Sequence, residues 1–85
     1  MNILKQSTNE ETRTLRIYTQ EMSMSWTFNS VLQMYAADTI LREIGLQLSL
    51  SDIANLFNRI KRKENFNTFR DASIFVYEYL RGELL

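Results

Sequence analysis

Cysteine, histidine and proline are absent from this chain, and glycine occurs only twice. Without cysteine, disulfide bonds and thiolate metal sites are excluded. The lack of both histidine and cysteine removes the usual general base near neutral pH and the usual thiol nucleophile. The glycines are too few to form a loop that cradles a phosphate. We therefore expect a protein that is not an enzyme and that has no catalytic, metal or cofactor site.

An excess of charge and long apolar runs are also lacking. Ten basic and ten acidic side chains give a formal net charge of zero, so no overall field attracts a polyanion or an anionic membrane. No stretch approaches the roughly 18 apolar residues of a membrane-spanning helix, and the first apolar run is too short for a signal sequence. These features predict a soluble cytoplasmic protein with no membrane partner.

The apolar content of the chain predicts one small globular domain over residues 1–85. Of the 85 residues, 45% are apolar and 12% are aromatic, which suffices for a single core. Domains of this size bury a small fraction of their surface and are only marginally stable. Self-association, most simply as a homodimer, is a common way to gain the missing stability, and we expect it here.

Helical signals cover the second half of the chain, over about 29–45, 51–63 and 67–81. The first of these helices has Asn29 or Ser30 as its N-cap, and Gly45 is placed as a left-handed C-cap. It is apolar on two sides, which is typical of a helix that is central in a bundle or shared with a partner.

The other two helices each have an apolar stripe at helical spacing. In the second, with Ser49 or Ser51 as its cap, the stripe consists of Ile53, Leu56, Phe57 and Ile60. In the third, the predicted core stripe consists of Phe69, Ala72, Val76 and Leu80.

The segment before residue 29 gives two conflicting signals. The pattern from Ser7 to Glu10 is a capping box and predicts a helix over 8–24. In contrast, TRTLRIYT and MSMSWTF alternate with period two and favour a β-hairpin within 12–28. Such a hairpin would turn at about 19–21, where no Gly, Asn or Asp supplies a positive φ, so we favour the helix.

The sequence thus predicts a mostly α fold, a small bundle of three to four helices. The alternative is an α+β fold in which the hairpin packs on three helices. Its helix-facing residues would then be Met22, Met24, Trp26 and Phe28.

Positive charge is concentrated at the end of the second helix, in SDIANLFNRIKRK. The first nine of these residues resemble the opening of a helix-turn-helix, but no tight glycine-containing turn follows and the next helix begins with few cations. At about 100° per residue the cations surround the helix end, where they complement its dipole. They remain candidates for contact with nucleic acid or with an acidic protein, and they are Arg59, Lys61, Arg62 and Lys63.

The third helix carries a second pattern on a side away from its predicted core stripe. At steps of four, three and four residues, an apolar–aromatic pair lies between two arginines, in the series Arg70, Ile74, Tyr77 and Arg81. Tyrosine and arginine dominate the energetic centres of protein interfaces. The series predicts a surface for a partner or for self-association; the alternative is a terminal helix buried on both sides.

These features together predict a protein–protein interaction module. Its role would be that of an adaptor, modulator or inhibitor of a larger protein, by analogy with the small accessory proteins that phages and mobile elements encode. The alternative is a small nucleic-acid-binding regulator that uses the basic cluster at 59–63.

Overall fold

The first third of the chain forms an antiparallel sheet, and most of the remaining described residues are helical. The computed structural model describes residues 1–82. Its strands are β1 (Lys5–Asn9), β2 (Thr14–Tyr18) and β3 (Ser23–Thr27). Its helices are α1 (Val31–Ile44), α2 (Leu50–Lys63) and α3 (Phe69–Leu80), with a short 3-10 turn (Gly45–Gln47) after α1. The fold is therefore α+β, and the mostly α bundle was the wrong choice.

The sheet is antiparallel with β2 in the middle, in the order β1-β2-β3. Leu15 and Ile17 of β2 are completely buried, and they lie opposite Trp26 and Met24 of β3. These side chains face the helices, while the residues between them face solvent. The period-two alternation therefore decided the structure, and the predicted helix over 8–24 is wrong.

The hairpin between β2 and β3 turns without the residues that normally permit a tight turn. The Thr19 amide donates to the Met22 carbonyl at 2.8 Å, which closes a two-residue loop. The Thr19 hydroxyl accepts from the Met22 amide at 3.1 Å and donates to the Met22 carbonyl at 3.0 Å. The threonine side chain adds two hydrogen bonds to the turn. No residue of the turn adopts a positive φ, which is why no Gly or Asn is needed here.

The turn between β1 and β2 explains why the capping-box signal was misleading. The Asn9 side-chain oxygen accepts from the backbone amides of Glu11 and Thr12, at 3.0 and 3.3 Å. Arg13 then adopts a φ of 57°, which ends the turn and starts β2. Ser7 lies inside β1 and caps no helix. Neither reading of the sequence anticipated β1, because all five of its residues are polar.

The helix α1 is the centre of the fold, because it packs against β2, α2 and α3. Ser30 caps it by accepting from the Gln33 amide. Gly45 is not the predicted left-handed cap, since its φ of −57° is right-handed and it begins the 3-10 turn. A Cβ at this position would lie 3.2 Å from Cδ1 of Ile3, so glycine permits a close approach of the N-terminal segment.

The helix α2 matches its prediction in face and, to within one residue, in bounds, and its cap is Ser49, one of the two predicted candidates. All four residues of its predicted stripe are buried. The Phe57 ring lies edge-on to Trp26 and Phe28, with centroid distances of 4.8 and 5.4 Å. This aromatic cluster joins α2 to the β3 side of the sheet. Within residues 1–82, no helix combines the length and apolar character that crossing a membrane requires.

The helix α3 is rotated relative to the predicted core stripe. Ala72 and Val76 are buried as expected, together with Phe75 and Tyr79, which were not predicted. Phe69 and Leu80 are instead 68% and 37% exposed. Apolar residues occur on most sides of this helix, so periodicity alone did not determine its rotation.

The capping box of α2 makes the stability of the chain dependent on acid pH. Hydrogen bonds from the Ser49 backbone amide, and then from its hydroxyl, lower the pKa of Asp52 below its ordinary value of 3.8. A carboxyl whose pKa is lowered on folding stabilises the fold above its unfolded pKa, and this contribution is lost as the pH falls through the folded pKa. In thermal melts between pH 7 and pH 2, we expect Asp52→Asn to lose less stability below about pH 4 than the wild type. Parallel curves for the two proteins would contradict this assignment.

Candidate functional site

The outer face of α3, defined as Arg70, Ile74, Tyr77 and Arg81, points away from the core. The buried residues of α3 lie on the opposite side of the helix, at about 100° per residue. Ile74 is 45% exposed and Tyr77 is 61% exposed, and both arginines are exposed. The structure thus brings all four predicted residues onto one open surface. The alternative of a helix buried on both sides does not apply to the single chain.

An arginine stacks on the aromatic ring of this face. The Arg81 guanidinium carbon lies 5.1 Å from the centre of the Tyr77 ring, and Arg81 Nη1 donates to Tyr77 Oη at 3.4 Å. A cation above the face of a tyrosine ring is held by the negative face of the π-system. The pair therefore presents a flat, amphipathic surface that remains compatible with water when unoccupied.

Beside the outer face lies an apolar groove of about 280 Å³ between α1 and α3. It is called the α1–α3 groove, and it is lined by Tyr35, Ala36, Thr39, Phe69, Ala72, Ser73, Val76, Tyr77 and Leu80. The small side chains at Ala36, Ala72 and Ser73 leave the depression open. Aromatic side chains from both helices stand beside it. Tyr77 belongs both to this groove and to the outer face, so the two form one continuous surface.

Eight of the nine residues that line the groove were not predicted as site residues, and three of the eight have large side chains that are at least partly exposed. Phe69 and Leu80 were assigned to the core, because their spacing fits the same stripe as Ala72 and Val76. Tyr35 was counted among the apolar residues of the first predicted helix, which is apolar on two sides. Its hydroxyl donates to the Glu10 carboxylate in the turn between β1 and β2, which ties the edge of the groove to the sheet. The signal that could have revealed the groove is the surplus of large apolar residues on α3.

The charges of α3 are separated around the helix. Arg70 and Arg81 lie next to Tyr77, on the groove side of the exposed surface, whereas Asp71 and Glu78 lie beyond Ile74. The Asp71 carboxylate is already engaged, because it accepts from the backbone amide of Thr68 in a capping box. Positive charge therefore borders the groove on its α3 side, beyond Tyr77, while the Glu10 carboxylate lies beside Tyr35 on its α1 side.

The basic cluster of α2 is divided by the fold. Arg59 Nε lies 3.8 Å from a Glu64 carboxylate oxygen, and its guanidinium stands 5.9 Å from the centre of the Phe75 ring. Lys61 is partly buried, while Arg62 and Lys63 are exposed. Only two of the four cations are thus well placed to meet an approaching partner.

No protein-family model, curated protein or solved structure matches this chain. The outer face of α3 and the α1–α3 groove together form the candidate site, which is suited to non-covalent binding.

Proposed function

We propose that this chain is a small protein-binding module that docks an apolar segment of a larger protein in the α1–α3 groove. The observation that carries the proposal is the clustering of exposed apolar side chains. Phe69, Tyr77 and Leu80 all line one groove, and Ile74 continues the surface around α3. Single exposed apolar residues are ordinary on a soluble protein, but a contiguous patch marks an interaction site.

The shape and charge of the groove indicate the chemistry of the partner segment. Grooves between helices accept the apolar face of an amphipathic helix, whose anchoring side chains recur every three or four residues. Since Arg70 and Arg81 border the α3 side of the groove, acidic residues of the partner on that side of the apolar anchors would be attracted and basic ones repelled. The proposed partner segment is therefore an apolar helix with acidic residues along the edge that meets α3. A module that only binds in this way would act as an adaptor, modulator or inhibitor.

Self-association is a second part of the proposal. It is supported by the small size of the fold, because small domains bury a small fraction of their surface and are only marginally stable. A dimer that forms only from the folded chain would add stability.

Substitution of the groove walls tests the proposed function. We expect Phe69→Ala combined with Tyr77→Ala to lower partner affinity by about 2 kcal/mol or more, as for the central residues of other interfaces. Since both side chains are exposed, the melting transition should change little. The measurement is quantitative capture of native partners by wild-type and variant protein, with circular dichroism as the test of folding. Equal recovery of every partner by a folded variant would exclude the groove.

The matched control for this experiment is Arg62→Gln combined with Lys63→Gln. These substitutions remove two exposed cations at the end of α2, a helix that contributes no residue to the lining of the groove, so capture of a groove partner should persist. The alternative proposal, a nucleic-acid-binding regulator, predicts the reverse. In that case nuclease treatment should remove the captured material, and neutralising all four cations at 59–63 should abolish binding and flatten its salt dependence.

A further inference from the structure

The strand β3 forms an edge of the sheet, and the register shows which of its backbone groups point outward. In an antiparallel pair, residues alternate between those bonded to the neighbouring strand and those facing away from it. The Phe28 amide donates to the Arg13 carbonyl, and the Thr19 amide donates to the Met22 carbonyl. The bonded positions of β3 are therefore Met24 and Trp26. The amides and carbonyls of Ser23, Ser25 and Thr27 point away from β2.

This outer edge is open in the single chain. Among residues 1–82, no backbone hydrogen bond joins Ser23, Ser25 or Thr27 to another element, and all three residues are exposed. A row of unpaired amides and carbonyls is a template for another strand.

The two edges of the sheet differ in their protection. Natural proteins protect strand edges with lysine, proline, a bulge or a covering helix. The edge strand β1 has Lys5, and its Gln6 side chain donates to the Asp38 carboxylate of α1 at 2.6 Å. The strand β3, with the sequence SMSWT, has no charged residue and no proline. The unprotected edge is therefore β3.

We propose that a second copy of this chain binds here, with the two β3 strands pairing antiparallel about a two-fold axis at Ser25. This inference rests on the proposed self-association and specifies its surface. The two sheets would join into one continuous six-stranded sheet. In this register Ser25 of one copy lies opposite Ser25 of the other, and Ser23 of each copy lies opposite Thr27 of the other. All of these positions have outward-pointing backbone groups, so the hydrogen bonds of the two strands match.

In this register the side chains of β3 in one copy are complementary to those of β3 in the other. On the helix-facing side, Met24 of one copy lies opposite Trp26 of the other. Both side chains are partly exposed in the single chain, and contact between a thioether and an aromatic ring is favourable. Since the Trp26 ring already packs edge-on to Phe57, the pairing extends the aromatic cluster across the interface. On the solvent side only hydroxyl groups meet, and no like charges face each other.

The β3 pairing leaves the α1–α3 groove accessible. The sheet contacts α2 through Trp26 on the β3 side, and contacts α1 through Gln6 on the β1 side. Because α3 packs on α1, the groove lies away from the β3 edge. The dimer would therefore present two grooves, and a partner with two docking segments would bind it with higher avidity.

Charge substitution at the two-fold axis tests the pairing by sedimentation equilibrium of the full chain. Because the two residues at position 25 lie opposite each other in the dimer, Ser25→Glu and Ser25→Lys should each weaken self-association at least about tenfold through like-charge repulsion. Equimolar mixing of the two variants should restore a dimer. Arg16 of β2 lies opposite Ser25 and adds to the repulsion between lysines, so Ser25→Lys should dimerise more weakly than Ser25→Glu. A merely structural role of Ser25 predicts no recovery on mixing.

The control is the same pair of substitutions at Ser7, which lies opposite the same Arg16 but on the protected edge. The variants Ser7→Glu and Ser7→Lys should dimerise like the wild type. The proposal is overturned by a wild-type monomer at about 100 μM, the weak end for a specific interface. It is equally overturned if the two Ser25 variants dimerise normally or fail to recover on mixing. Loss of the dimer in Phe69→Ala with Tyr77→Ala would place self-association in the groove, which overturns the β3 pairing but leaves groove binding intact.

Discussion

Replacing Phe57 with alanine is expected to lower the free energy of unfolding by about 3–5 kcal/mol, the usual cost of emptying a buried phenylalanine site. The Phe57 side chain is completely buried and contacts the rings of Trp26 and Phe28. Its removal would leave a cavity where α2 meets the sheet. In a domain this small, the loss is comparable with the whole stability. Urea unfolding at one fixed protein concentration measures the change, since dimerisation would make stability depend on concentration.

The matched control is Phe69→Ala, which makes the same chemical change on α3. Because Phe69 is exposed, its truncation should change the unfolding free energy by less than about 0.5 kcal/mol. Similar losses in the two variants would mean that α3 is rotated toward the stripe predicted from the sequence. The pair of measurements thus tests the rotation of α3 as well as the role of Phe57.

Replacing Gln33 with leucine is expected to destabilise the fold by about 2–4 kcal/mol, because two backbone groups would lose their partners. Gln33 is the buried polar residue of α1. Its Oε1 accepts from the Asn29 amide at 2.9 Å, and its Nε2 donates to the Glu64 carbonyl at 2.8 Å. One side chain therefore fastens the start of α1 to the segment between α2 and α3. The same urea titration measures the effect.

The control for this prediction is Gln20→Leu, at an exposed position in the hairpin turn. It makes the same substitution where water can hydrogen-bond to the nearby backbone groups, and we expect the free energy of unfolding to change by less than about 0.5 kcal/mol. A third variant, Gln33→Glu, keeps an acceptor for the Asn29 amide but loses the donor to Glu64. It should also be destabilised. A fully stable Gln33→Leu would show that the two backbone groups find other partners.

The helices could be predicted from the sequence because their signals are local. In α2, a serine cap at Ser49 or Ser51 and one clean apolar stripe were predicted, and the Ser49 cap and the buried face agree with them. The outer face of α3 was also identified correctly as one surface, since the spacing of Arg70, Ile74, Tyr77 and Arg81 fixes their relation on any helix. Whether that surface is exposed does not follow from spacing.

The sheet was not favoured in the sequence analysis because the features that form it, the geometry of a turn and the pairing of β1 with β2, do not follow from residue types alone. The hairpin turn was judged unfavourable for lack of glycine, yet none of its residues adopts a positive φ, and the Thr19 side chain adds two hydrogen bonds to it. The polar strand β1 has hardly any apolar pattern of its own. It becomes a strand because β2, with Leu15 and Ile17 buried against the helices, offers it a second edge to pair with.

The sequence by itself determined three helices, the N-caps of α1 and α2 to within two candidates each, the face of α2 and the surface relation of four residues on α3. The tertiary structure decided the rotation of α3, the exposure of Phe69, the groove beside it and the open edge of β3. The physical reason is the range of the interactions involved. Caps and stripes depend on residues within one or two helical turns, whereas a groove or an open edge depends on which distant element packs alongside and which side it leaves uncovered.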